Sequence, residues 1–327
     1  MKYENNLALC VMRLIIDGKE YPVEVHKATQ NVAGSVKILI PTFLMSDAAV
    51  HIAMACIESV KTFTQCEHEI WVIDNNSPEE YFSKLLKIGG INVVRNMREP
   101  VNPRAPLFRK KGLLGWLGQT QIPSQGVDGS YANAIALEIG MQLINPGTGL
   151  VFTMHSDTLV TKLGWLEHLC AKMDDSVRAV GCLCDNIRIH ALHVSGLLYD
   201  FQLFRKLQVS MLPNIKNRLS QELPEYDVGD AVSYVFKKNG YAVYCCPNTH
   251  NSPELLDWME SGSLFDKPIV RSFDDRREVI FLHLGRGTPK SRNQYKKEGQ
   301  FLADDWIAFT EHFLASVFVI YHSEAFL

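Results

Sequence analysis

From residue 36 onward, short unbroken apolar runs alternate with stretches whose apolar residues recur every three to four positions. The first run, Val36–Ile40, opens Val36-Lys-Ile-Leu-Ile-Pro-Thr42. A helical pattern follows, with Val50, Ala53, Met54, Ile57 and Val60 on one face and Ser46 or Asp47 placed to cap it. Ile70–Ile73 is the next strand and runs into Asp74-Asn-Asn-Ser77. Ser77-Pro-Glu-Glu80 has the form of a capping box with proline at the first helical position, and Gly89-Gly90 ends that helix. Ile91–Arg95 is a third strand. A helix over Ser130–Ile144 stops at Asn145-Pro-Gly147, and the strand Leu150–Met154 then runs into His155-Ser-Asp157. Beyond it the pattern predicts a helix over Trp165–Met173, a strand over Val177–Cys184, and a helix over Asp227–Asn239 closed by Gly240. Strands over Tyr241–Pro247 and Val279–Leu284 and a terminal helix over Ala303–Ser316 complete it. Unbroken apolar strands alternating with helices predict an α/β fold: a mostly parallel sheet with helices on both faces.

Two segments depart from this rhythm. Residues 11–25 form a β-hairpin pattern, Leu14-Ile-Ile and Tyr21–Val25 about an Asp17-Gly18 turn. Residues 97–128 are rich in Pro, Gly, Arg and Lys and long for a loop. Within them Leu107–Leu117 mixes apolar and cationic side chains. A peripheral membrane contact, a lid over the site and a disordered loop all fit that stretch. The expected organisation is an N-terminal hairpin extension over 1–33, an α/β domain over 34–287, and a C-terminal loop and helix over 288–327.

Composition narrows the functional classes. A net charge of −3 over 327 residues gives no bulk attraction to nucleic acid. No apolar run reaches the roughly 18 residues of a membrane span. The polar start Met1-Lys-Tyr-Glu-Asn-Asn and Arg13 within Leu7–Ile16 do not form a secretory signal. The eight cysteines contain no CxxC pair; Cys182, Cys184, Cys245 and Cys246 sit in strand-like runs as buried thiols would in a cytoplasmic protein.

Asp74, Asp157 and Asp230 fall at the expected mouth of one sheet, where open α/β sheets bind ligands. A carboxylate there can hold a hard cation against a phosphate. The first strand runs into Pro41-Thr-Phe-Leu, with no G-x-G-x-x-G and no P-loop, so a nucleotide must be held by side chains and a metal. Plainer roles stay open for each residue. Asp157 can cap a helix near Thr161, Asp74 can close an Asx-turn, Asp230 can face a helix dipole, and His283 can be a core histidine.

The order Ile-Pro-Thr-Phe, Val-Ile-Asp-Asn-Asn-Ser, Gly-Ser-x-x-x-Ala-x-Ala, Met-His-Ser-Asp and a late acid-bearing helix resembles the GT-A glycosyltransferases, family 2 above all, over residues 36–285. The resemblance implies a GT-A, Rossmann-like fold. It implies transfer of a sugar, with inversion, from a UDP- or dTDP-linked donor to a glycan, lipid-linked or protein acceptor. By that resemblance Pro41 and Thr42 flank the base, Asp74 accepts from it, and Asn133 lies against the ribose or sugar. His155-Ser-Asp157 takes the place of an Asp-x-Asp motif, with His155 where the first acid stands and free to contact ribose or bound water. Asp157 and His283 hold Mn2+ or Mg2+, and Asp230 is the catalytic base. Arg286, with Lys290 and Arg292, closes over the diphosphate, and Ser195-Gly196 lines the sugar pocket. A sugar-1-phosphate nucleotidyltransferase would need a Gly-rich loop after the first strand. A catalytically decayed nucleotide- or glycan-binding module is the non-enzymatic alternative.

Overall fold

The computed structural model describes residues 8–104, 107–109, 121–123, 128–259, 269–285 and 303–324. In chain order the elements are β1 (Ala8–Ile16), β2 (Lys19–Lys27), β3 (Val36–Thr42), α1 (Asp47–Phe63), β4 (His68–Asp74), α2 (Glu79–Leu85) and β5 (Asn92–Asn96). A small hairpin, β6 (Leu107–Arg109) and β7 (Gln121–Pro123), precedes α3 (Gly129–Leu143), β8 (Leu150–Met154), β9 (Thr158–Val160) and α4 (Trp165–Ala171). Then come β10 (Val177–Gly181), β11 (Cys184–Asp185), β12 (Ala191–Leu192), β13 (Gly196–Asp200) and α5 (Phe201–Lys206). The chain closes with α6 (Asp230–Lys238), β14 (Ala242–Cys245), β15 (Val270–Phe273), β16 (Val279–His283) and α7 (Ala303–Glu324).

Among the described residues the main sheet has nine strands, in the order β1-β2-β5-β4-β3-β8-β13-β10-β14. Its centre, β5-β4-β3-β8, is parallel, as unbroken apolar strands predict. Two apolar cores lie on its faces. One packs α1, α2, α4 and α7 against Ile38, Val72 and Phe152; the other packs α3, α5 and α6 against Leu39, Trp71 and Val151. Alternate residues of β3 therefore feed opposite cores, the period-2 geometry of a strand buried on both sides.

Local chemistry sets the element ends. Ser46 accepts from the Ala49 N–H and caps α1, whose buried stripe runs from Val50 through Ala53 and Ile57 to Val60. Met54 leaves the expected stripe and is exposed, because one helical step from Ala53 carries it off the inner face. The hairpin turn has positive φ at both Asp17 and Gly18, the backbone that a two-residue hairpin requires. Its second strand pairs with β5, so the hairpin forms one edge of the main sheet. The capping box at Ser77 is not made. Pro78 takes the cap position of α2 with no side-chain bond, and Ser77 spends its hydroxyl on Asp74 and Leu44.

The apolar run of β3 carries one charge. Lys37 is fully buried and donates to Glu69, 2.7 Å away, to Ser35 and to the Val32 carbonyl. Glu69 also accepts from Thr29, Val32 N–H and Trp71. Burial alone would raise the Glu69 carboxyl, but Lys37 and these donors outweigh it and hold it below its ordinary value. Lys37→Met leaves a buried carboxylate without its cation. A loss of about 3–5 kcal/mol is expected, read as a lower urea midpoint at pH 7.

Candidate functional site

The carboxyl ends of β3, β4 and β8 open into a cavity of about 580 Å3, a size that suits a small ligand. Pro41, Phe43, Met45, Pro78 and Pro100 give it an apolar wall. Thr42, Asn75, Asn76, Ser77 and Arg95 give it polar groups, and Asn133, His155, Ser156 and Asp157 lie at its inner end. Pro41 and Thr42 both line the cavity.

Asp74 does not form the cavity surface. It is completely buried, and both of its oxygens are engaged. Ser77 donates its hydroxyl to Oδ1 and its backbone N–H to Oδ2 at 2.9 Å, and Thr42 Oγ1 lies 3.3 Å from Oδ1. Burial pushes its carboxyl up to about 6, against the Ser77 donors, Arg95 and Thr42. Asp74 closes the turn after β4 and, through Ser77, which accepts from Leu44 N–H, ties that turn to the loop after β3. Asn75 and Asn76 present the amides of this turn instead, Asn75 braced by Ala132 O and Asn96.

A second, three-stranded sheet, β15-β16-β9, completes the inner end. Antiparallel pairing of β16 with β9 sets His283 opposite Thr158, and the Leu284 N–H bonds the Asp157 carbonyl at 3.0 Å. His155, Asp157 and His283 are the one group of possible metal ligands among the described residues; their ligand atoms lie within 4.8 Å of one another. Asp157 Oδ1 is 4.0 Å from His155 Nδ1 and 3.6 Å from His283 Nε2. Two imidazoles around a nearly buried carboxylate make a donor set that fits a divalent cation. Asn133 meets this cluster as well, its amide 2.7 Å from His155 Nε2.

His193, which the sequence leaves as a structural or acceptor-side histidine, brings a third ring to the cluster. Its ring centroid stands 5.6 Å from that of His155 and 5.9 Å from that of His283. Burial, then the neighbouring His283, pushes its pKa down to about 4, so the ring is neutral. Ser195 N–H donates to its Nδ1, which leaves the ring proton on Nε2. Ser195 and Gly196 are themselves buried. Ser195 orients His193, and a Cβ at Gly196 would stand 2.9 Å from the Cys182 Cβ, so they support the site from behind rather than line a pocket.

Asp230 begins α6 after Gly229, whose φ of 77° and contact with Val194 exclude a side chain there. It is 2% exposed and accepts from Asp227 N–H at 2.8 Å. Burial pushes its carboxyl up to about 7, opposed by that N–H and by Arg188 and helped by the charges of Asp227 and Asp185. Asp230 is outside the set that lines the cavity. Arg286, Lys290 and Arg292 lie outside the described residues, as does most of 107–117.

No family model matches the chain, and no curated protein does. Among solved structures it is similar to the mannosyltransferase PcManGT from Pyrobaculum calidifontis in complex with GDP-Man and Mn2+, at 12% identity and TM-score 0.42, over 66% of this chain and 55% of that one. It is also similar to the glycosyltransferase GlyE of Streptococcus pneumoniae, at 11% and 0.45, over 89% of this chain and 64% of that one. A third is the galactosyltransferase LgtC in complex with donor and acceptor sugar analogs, at 14% and 0.45, over 85% and 96%. The chain thus spans less than two-thirds of the first two. At these identities the likeness is one of chain path.

Proposed function

We propose that the protein is a GT-A glycosyltransferase that moves a sugar from a UDP- or dTDP-linked donor to a hydroxyl of a glycan, lipid-linked or protein acceptor, with inversion. The observation that carries this reading is the His155–Asp157–His283 cluster at the inner end of a nucleotide-sized cavity. Solved structures of similar chain path include enzymes crystallised with GDP-Man and Mn2+ or with donor and acceptor sugar analogs.

In this reading the base and ribose occupy the cavity between Pro41, Thr42 and the Asn75-Asn76 turn. Asp74 shapes that turn instead of touching the base. The diphosphate extends toward Asp157. A divalent cation held by His155, Asp157 and His283 would supply positive charge for the leaving diphosphate. Arg286 would add a guanidinium to the diphosphate. Asp230 takes the proton of the acceptor hydroxyl as that oxygen attacks; its pKa of about 7 suits a general base at neutral pH. A base on the face away from the leaving group gives inversion. No helix among the described residues is long and apolar enough to cross a membrane.

Thermal unfolding with UDP, dTDP, GDP and CMP, each with and without Mn2+, tests this. A ligand at about 100 Kd adds about 2.7 kcal/mol. Stabilisation by UDP or dTDP that grows with Mn2+ is expected. Stabilisation indifferent to metal removes the ligand roles of Asp157 and His283. No shift with any nucleotide favours the binding module without transferase activity, the reading that His155 in place of an acid supports.

A further inference from the structure

The donor set itself carries chemical information. Two of the three candidate ligands are imidazoles, and Asp157 is the single carboxylate of the group. Both rings approach the same oxygen, Asp157 Oδ1, His155 through Nδ1 and His283 through Nε2. The other nitrogen of His155, Nε2, meets the NH2 end of Asn133, while Asn133 Oδ1 is buried with no partner. The two ends of a carboxamide have the same shape, and turning it over brings Oδ1 to Nε2. His155 then donates Nε2–H to Asn133 and keeps a lone pair on Nδ1, on the carboxylate side. That is the tautomer a ligating imidazole needs, and such partners commonly set it.

We propose that Asn133 is a positioning residue for His155, and that the His155–Asp157–His283 set selects first-row transition dications over Mg2+. This rests on reading the cluster as a metal site. Mg2+ takes oxygen donors in a near-octahedral shell and gives up water reluctantly. Imidazole nitrogen favours the later transition ions, with affinity rising from Mn2+ toward Cu2+. An acid in place of His155 would restore an oxygen donor. The residue at 155 therefore sets ion selectivity, and Asn133, on a different element, makes that residue competent.

Titration with Co2+, followed by its visible ligand-field absorption, tests both halves without an activity assay. The wild-type protein should bind one Co2+ per chain and keep most of it against a roughly 1,000-fold excess of Mg2+. His155→Asp should release Co2+ to Mg2+ at least about tenfold more readily. Asn133→Leu should weaken Co2+ binding about 10–100-fold, and Asn133→Asp, which keeps an acceptor oxygen, should restore it. Equal displacement by Mg2+ from wild type and His155→Asp, or unchanged Co2+ affinity in Asn133→Leu, overturns the inference. UDP binding by the same samples without metal separates the two readings. UDP bound with no Co2+ site overturns this inference and leaves the nucleotide site standing. Selective Co2+ binding with no nucleotide bound supports it and removes the donor site. Neither bound overturns both.

Discussion

Asp230→Asn should lower turnover by about 10²–10⁴ while leaving nucleotide and metal binding in place, the range for losing a positioned general base. The substitution keeps the shape of the side chain and an oxygen to accept the Asp227 N–H. Only the proton acceptor is lost. The pH dependence gives a second handle. A base with a pKa of about 7 is about one-tenth ionised at pH 6 and about nine-tenths at pH 8, so wild-type turnover should climb through this window. Stability runs the other way. The folded-state pKa lies above the ordinary carboxyl value, so the folded protein holds this proton more tightly than the unfolded chain. Folding therefore loses stability from Asp230 as pH rises from about 4 toward 7. Asp230→Asn removes that cost and should unfold no more easily than wild type at pH 8. A variant that is stable, binds UDP and still turns over normally would refute the role of base.

Asp157→Ala should abolish the metal-dependent part of nucleotide stabilisation and lower turnover by at least about 10²–10³, the order for deleting one group that stabilises developing charge. The fold should tolerate the change, because the backbone tie between this turn and β16, from the Leu284 N–H to the Asp157 carbonyl, does not involve the side chain that is removed. Two histidines cannot hold a hard dication against phosphate as well as a set that includes an anion. The comparison is made by thermal unfolding with UDP in the presence and absence of Mn2+, beside a steady-state assay. Metal-dependent stabilisation that persists in Asp157→Ala would move the metal elsewhere.

The parts of this molecule that sequence makes legible are those decided locally. Short apolar runs, Ile38–Ile40 in β3, Ile70–Ile73 in β4 and Leu150–Phe152 in β8, mark these strands, because strands buried on both faces have no polar side to alternate with. The turn at Asp17-Gly18 and the cap at Ser46 are legible for the same reason: the residues that make them are neighbours. What stays hidden is settled by partners far along the chain. β9 is three residues long and gains its identity from β16, more than a hundred positions away. β13 enters the sheet antiparallel between β8 and β10, where a β-α alternation gives no sign of it. Ser77 has the right sequence for a cap, but the buried Asp74 carboxylate outcompetes the helix end for its hydroxyl. At the site, Asp157 and His283 could be named from sequence and do come together. The meeting of Asn133 with His155, and the third ring at His193, depend on α3 and the β12–β13 turn converging on the end of β8.

The approaches to residues 105–127 are fastened on both sides. Asn102 donates to Asp128, the residue that caps α3, while Arg104 and Tyr131 both hold Asp17 in the hairpin turn and Lys19 bonds the Val101 carbonyl. A chain whose two ends are already pinned beside each other imposes little on the rest of the fold. Doubling its length costs only about 0.6 kcal/mol of closure entropy. The segment between Arg104 and Asp128 is therefore an exchangeable cassette. Changes in its length should leave the sheet that carries Asp157 as it is.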